Sequence, residues 1–247
     1  MTQTPAQKLS ESIRAVRRER VAMVAFMTAG FPSKERFRAD LEALAAQADV
    51  VEIGVPFTDP MADGVTIQRS SLAALAQGVS LAWIIETLKA MPRLPAQLVF
   101  MGYLNPMLAY GLDRLAADAA AAGIAGFIVP DLPVEESADF EKALLPHGLA
   151  LIRMVTPVTL PQRLEQLCRT AQGFVYAVSM TGTTGRSVGS QVECPRLLDG
   201  LGLRSRQQRQ RPGPRRRPHG YADRVAWLHR AHRERQASTR HRHAWRA

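Results

Sequence analysis

The chain is poor in cysteine. Cys168 and Cys194 are its only two, too few for a disulfide framework or a cysteine-based metal site, so a reducing compartment is the simplest expectation. It also lacks any run of about 18 apolar residues, which excludes a spanning helix of ordinary length. The opening stretch "MTQTPAQKLSESIRAVRRER" is polar and has no apolar signal core, and the cytoplasm is the expected location. No G-x-G-x-x-G follows the first apolar run, which counts against a dinucleotide-binding sheet. Acidic residues are scarce in one place only. From Arg204 onward there are 14 Arg and two acids, Asp223 and Glu234, leaving 18 basic and 20 acidic residues in the first 203. The net charge of +10 therefore belongs to the tail, and so do five of the six His.

What is present is 46% apolar content in 247 residues, enough for one sizeable core. Six apolar runs recur: 21–30, 48–55, 96–103, 125–131, 149–155 and 172–179. Being apolar on both faces, they suit parallel strands covered by helices. Helical patterns stand between them. "SKERFRADLEALAAQA" offers Ser33 as an N-cap, "GLDRLAADAAAAG" and "VEESADFEKALLPHG" end in Gly, and "LPQRLEQLCRTA" is a fourth. Repeated β-α order favours a parallel α/β fold. Both an open doubly wound sheet and a (β/α)8 TIM barrel fit. The polar residues that interrupt the runs favour the barrel, because Glu52, Asp59, Asp63, Asp131, Tyr176 and Thr184 all fall at strand C-terminal ends.

The stretch "VEIGVPFTDPMADG" carries the chemistry. Glu52 stands between Val51 and Ile53, where desolvation disfavours its ionised form and raises its pKa. A carboxyl poised near neutrality can give and take protons. The structural alternative is a Glu paired with a buried Arg or Lys. Asp63 can accept a hydrogen bond from a ligand N–H, or it can simply form a turn before Gly64. Asp59 in "PFTDP" has the same two readings.

Taken together, "VEIGVPFTDPMADGVTIQRSSLAALAQGVSL", "AFMTAGFP", "PDLPVEES" and "GFVYAVSMTGTTG" resemble the tryptophan synthase alpha chain family, from about residue 8 to about 203. The resemblance implies a TIM barrel that cleaves indole-3-glycerol phosphate to indole and glyceraldehyde 3-phosphate in tryptophan biosynthesis. It implies no metal and no cofactor in this chain. The partner would be a pyridoxal-phosphate-dependent beta chain in an alpha2-beta2 heterotetramer. It further implies that Glu52 is the general acid-base and that Asp63 binds the indole N–H. Phe26, Met101, Ile128, Met154 and Tyr176 would line the indole pocket; read alone, each is an ordinary core residue. Thr184 and Gly185 would lie in the mobile loop after the sixth strand, closing over the site and contacting phosphate. Pro56 and Asp59 would face the partner chain.

After "VECPRLLDGLGL" the family pattern stops. A seventh strand with a "G-F-G-I"-like turn and an eighth with "G-S-A" should follow and carry most of the phosphate site. Instead the chain reads "RSRQQRQRPGPRRRPHGYADRVAWLHRAHRERQASTRHRHAWRA". The sequence therefore divides into a barrel domain, 1–203, and an Arg-rich segment, 204–247, expected to be disordered or to form stray helix around "ADRVAWLHRAHRER". Three origins compete: a frameshift in GC-rich coding DNA, a basic appendage that contacts nucleic acid, and a phosphate site rebuilt from tail arginines. The abrupt change of composition favours the frameshift. An inactive barrel with a nucleic-acid-binding tail is the alternative function, and no membrane role is expected. The nucleotide sequence from codon 190 onward, read in all three frames, is predicted to yield the two missing glycine turns. Their absence from every frame contradicts the frameshift.

Overall fold

The computed structural model describes residues 3–16, 19–156, 158–178 and 225–226. Four five-residue strands open the sheet: β1 (Val24–Thr28), β2 (Val50–Gly54), β3 (Gln97–Met101) and β4 (Ile124–Ile128). The next apolar run gives two short pieces, β5 (Ala150–Leu151) and β6 (Arg153–Val155), and β7 is Val175–Ala177. All pairings are parallel, β1-β2-β3-β4-β5 and then β6-β7. The wall continues across the β5–β6 break, because Ile152 N–H donates to Phe127 O at 2.8 Å and Val178 N–H to Val155 O at 2.8 Å. Each apolar run read from the sequence holds strand, although β4 begins one residue before its run and the fifth run is split in two.

Side chains alternate across a strand, and the alternation sorts the core into two layers. Val50, Val99, Ile128, Ala150, Ile152 and Phe174 form the inner cluster. Val51, Ile53, Phe100, Phe127 and Leu151 point outward to the helices. A register shift between Leu98 and Val99 opposite β4 inserts one residue there. Ile124 and Phe127 then both belong to the outer cluster and Ala125 and Ile128 to the inner one, the local effect of a β-bulge. Helix α1 (Pro5–Val16) closes the N-terminal end of the strands. Its Leu9 is fully buried in the inner cluster, Ala6 N–H donates to Gly148 O at 3.0 Å, and Ser10 Oγ donates to Gly173 O at 2.8 Å. Functional groups are left to the opposite end.

The outer layer comprises α2 (Phe37–Ala45), α3 (Val65–Ala76), α4 (Leu81–Lys89), α5 (Leu104–Tyr110), α6 (Leu112–Ala121), α7 (Ala138–Leu144) and α8 (Pro161–Thr170). Several connections hold more helix than a simple β-α alternation. Gly78, at φ +74°, turns the chain out of α3, and Ser80 then caps α4 by accepting from Trp83 N–H at 3.2 Å. Ser33 is not the cap of α2. That helix begins at Phe37, after a turn, with Arg36 in the cap position and no side-chain cap bond.

In the Arg-rich segment the structure describes only β8, Val225–Ala226, which is strand rather than helix and runs parallel beside β7. The rest of that segment, and the expected loop with Thr184 and Gly185, lie outside the described residues. Among the described residues β8 does not pair with β1, so the wall is not closed there. No single helix among them is long and apolar enough to cross a membrane.

The β4–β5 pairing leaves no room at Gly126, where a Cβ would come within 2.7 Å of Ala150 O and 2.9 Å of Ala150 Cβ. Gly126→Ala is predicted to destabilise the fold by about 1–3 kcal/mol, read by chemical denaturation, as overpacking against backbone does. An unchanged midpoint contradicts this tightness.

Candidate active site

Glu52 is 1% exposed, in a strand that is buried at every residue. It is paired in register with Phe26 on one side and Val99 on the other. Its Oε1 has no hydrogen-bond partner, and no ion pair reaches it among the described residues. The alternative of a buried Arg or Lys partner is therefore not met. The buried arginine of this sheet, Arg153, is bound to Glu141 instead. Burial alone raises the Glu52 carboxyl from 4.5 to about 7.

Asp63 lies in the loop after β2, half-buried. Burial raises its pKa, and a hydrogen bond from the Tyr103 hydroxyl opposes the rise. Tyr103 is 5% exposed, accepts from Ala62 N–H at 2.9 Å, and packs its ring on Phe57 at 5.4 Å between centroids. Its own hydroxyl is pushed up to about 12, chiefly by burial, with the charge of Asp63 adding. Tyr103 was not singled out by sequence. Its only signal was its place at the end of the third strand run, in "MGY". Asp131, one of the strand-end residues, turns out to have a local role, accepting from Leu104 N–H at 3.0 Å.

The expected pocket residues converge. Met101, Ile128, Met154 and Tyr176 share the inner cluster at the strands' C-terminal end. The Tyr176 hydroxyl is held well above its usual range by burial first, then by the charges of Glu52 and Asp63. Phe26 lies across β2. A Cβ on Gly54 would meet its ring at 2.5 Å, so the ring needs a glycine beneath it. Phe26, Met101, Asp63 and Tyr103 together line a cleft that also touches Thr28, which is hydrogen-bonded to Ser70 at 2.7 Å. Of the two residues expected to face a partner, Pro56 is buried within this chain and Asp59 is exposed. Among the described residues no cluster of His, Cys, Asp and Glu could hold a metal ion.

A buried carboxyl without a partner at the C-terminal end of a parallel α/β wall, with apolar side chains around it, is the kind of group that acid-base chemistry uses. Comparison with known proteins narrows the class. Residues 13–206 match the family "Tryptophan synthase alpha chain". The tryptophan synthase alpha chain of Nitratidesulfovibrio vulgaris is 49% identical over 191 residues, 76% of this chain and 74% of that one. That of Xanthomonas oryzae pv. oryzae is 47% identical over 199 residues, covering 78% and 71%. Mycobacterium tuberculosis tryptophan synthase superposes with a TM-score of 0.72 at 35% identity, covering 81% and 77%. The alpha subunit from Campylobacter jejuni gives 0.67 at 34%, covering 76% and 75%. The chain belongs to the tryptophan synthase alpha chain family, a family of lyases, with the TIM-barrel fold of its structural neighbours. Nothing in these comparisons supports the nucleic-acid alternative.

The sign of the Glu52 shift sets a pH dependence. A raised folded-state pKa means that the native state holds the proton more tightly. Its stabilisation is complete below the unfolded value of 4.5 and is lost as pH rises through about 7. A shift of that size corresponds to about 3 kcal/mol at most. Glu52→Gln is therefore predicted to flatten the stability profile between pH 4.5 and 7 and to raise stability at pH 8. Parallel profiles for the two proteins contradict the shift.

Proposed function

We propose that this site is built to cleave indole-3-glycerol phosphate to indole and glyceraldehyde 3-phosphate, with Glu52 as the proton-transfer group and Asp63 as the partner of the indole N–H. The observation that carries the reading is the buried Glu52 carboxyl, with no partner for its Oε1 among the described residues. The retro-aldol step needs a proton added at indole C3 and a proton removed from the glycerol hydroxyl. As the C–C bond breaks, its electron pair returns to the ring and the hydroxyl carbon becomes the aldehyde. A carboxyl titrating near 7 is suited to both transfers in turn. Positive charge gathers on the ring nitrogen of the C3-protonated tautomer, and an ionised Asp63 stabilises it. Phe26, Met101, Ile128, Met154 and Tyr176 exclude water and hold the ring.

The substrate's phosphate is the weak point of this chain. The family's two glycine turns are not recognisable after residue 203, and of the expected phosphate contacts only the Gly185 loop, with Thr184 as its closing residue, is left. We therefore hold that the chain ending at Ala247 binds indole-3-glycerol phosphate poorly and turns it over little. The barrel unit is placed at 1–203 and the Arg-rich segment at 204–247, of which Val225–Ala226 pairs beside β7. In the proposed assembly the chain joins a beta chain as an alpha2-beta2 heterotetramer in the cytoplasm, with pyridoxal phosphate on the beta chain and Asp59 on the contact face.

The test uses a version with the downstream frame restored. Glu52→Gln is predicted to lower kcat by about 10²–10⁴-fold while substrate still binds. Asp63→Asn should cost about 10²-fold, because a neutral amide cannot balance the ring charge. Asp59→Asn should leave the isolated chain unaltered and reduce only its stimulation by the beta chain. Substantial turnover by Glu52→Gln, or equal losses from the two Asp variants in the isolated chain, overturns these roles. Full turnover by the chain ending at Ala247 overturns the reading of its phosphate site.

A further inference from the structure

The outer apolar layer is interrupted between α7 and α8. Phe140, Ala143, Leu144 and Leu151 belong to the cluster packed under α7. Leu164, Leu167, Cys168 and Val175 form a separate cluster under α8. Between them runs a cleft of about 870 Å³, counted to include the space open to solvent at its mouth. Four leucines wall it: Leu144, Leu145, Leu149 and Leu151. Leu145 is 73% exposed, at the rim.

The cleft is not simply apolar, because Arg153 of β6 forms part of its wall while being 8% exposed. Its Nη2 donates to Glu141 Oε1 at 2.6 Å and its Nη1 to Ser137 Oγ at 3.2 Å. Its Nε is buried with no acceptor among the described residues. The Ser137 hydroxyl is itself turned to the same Glu141 oxygen, so one carboxylate oxygen serves both groups. That carboxylate is 42% exposed, which weakens its hold on a buried cation. Lys142 adds a second cation to the lining. A buried guanidinium whose donors are not all met favours a further acceptor. Leucine walls with two cations, Arg153 and Lys142, beside the single Glu141 carboxylate suit an amphipathic anion. A bare inorganic anion would leave the leucines uncovered, and a neutral apolar molecule would leave Arg153 as it is.

We propose that the cleft between α7 and α8 binds a small monocarboxylate with an apolar body, its carboxylate on Arg153 and its body on the four leucines. This site lies outside the strand-end pocket and uses neither Glu52 nor Asp63, so it stands independently of the lyase reading. The test titrates the full chain with hexanoate, hexanol and inorganic phosphate, following the Arg153 ¹⁵Nε–¹H resonance. Hexanoate is expected to shift that resonance saturably with a Kd of about 1 mM, consistent with the modest affinity available to so small a ligand. Hexanol and phosphate should each bind at least about tenfold more weakly. Leu145→Glu, an exposed rim change that should leave thermal unfolding unaltered, should weaken hexanoate severalfold by placing a negative charge at the mouth. An Arg153 resonance unmoved by hexanoate, equal binding of hexanol or phosphate, or a Leu145→Glu protein that binds hexanoate as before overturns the proposal.

Discussion

The interior of a parallel barrel is a place where a charge has no water and no spare backbone donor, and Glu52 is put there by strand register. Its neighbours across the sheet are Phe26 and Val99, and its Oε1 is bonded to nothing. Desolvation of that one carboxyl gives it a titration point near neutrality. The rest of the site follows from the same alternation, which turns Met101, Ile128, Met154 and Tyr176 to the same inner face. Asp63 arrives from the loop that β2 itself begins, and Tyr103 fixes it there.

Arg153 provides the contrast within one sheet. It is buried almost as deeply as Glu52, but it points outward, where Glu141 of α7 and the preceding Ser137 accept from its two Nη atoms. The outward face has helices that can supply partners. The inward neighbours of Glu52 across the sheet, Phe26 and Val99, are apolar. A buried ionisable residue is therefore ion-paired on one side of the wall and left without a partner on the other. Helix α1 sharpens the asymmetry by filling the N-terminal end with Leu9, so that the open end of the interior is the one with the carboxyls.

Much of this was legible in the chain. Runs apolar on both faces announce buried parallel strands, and each holds strand. Glu52 stood out because a carboxylate inside such a run conflicts with burial, and Asp63 because it follows in the loop just beyond. Other features had no such signal. Helix α1 is half polar, since only Ala6 and Leu9 are buried, and its stretch reads as polar and charged. Ser33 has the chemistry of a cap, but the chain makes a turn first and α2 starts at Phe37. Tyr103 is a core aromatic by composition, and only the fold brings its hydroxyl to Ala62 and Asp63. The split between the clusters of α7 and α8 depends on how two helices pack, which periodicity in either one does not report.

The central claim is that an unpaired Glu52 titrates near neutrality because it is buried. The direct measurement is a ¹³C NMR titration of the Glu52 side-chain carboxyl in the folded chain, with Glu52→Gln to assign the resonance. The account predicts a midpoint of about 7. A midpoint near the ordinary value of 4.5 would mean that the carboxyl is solvated or paired, and would contradict it.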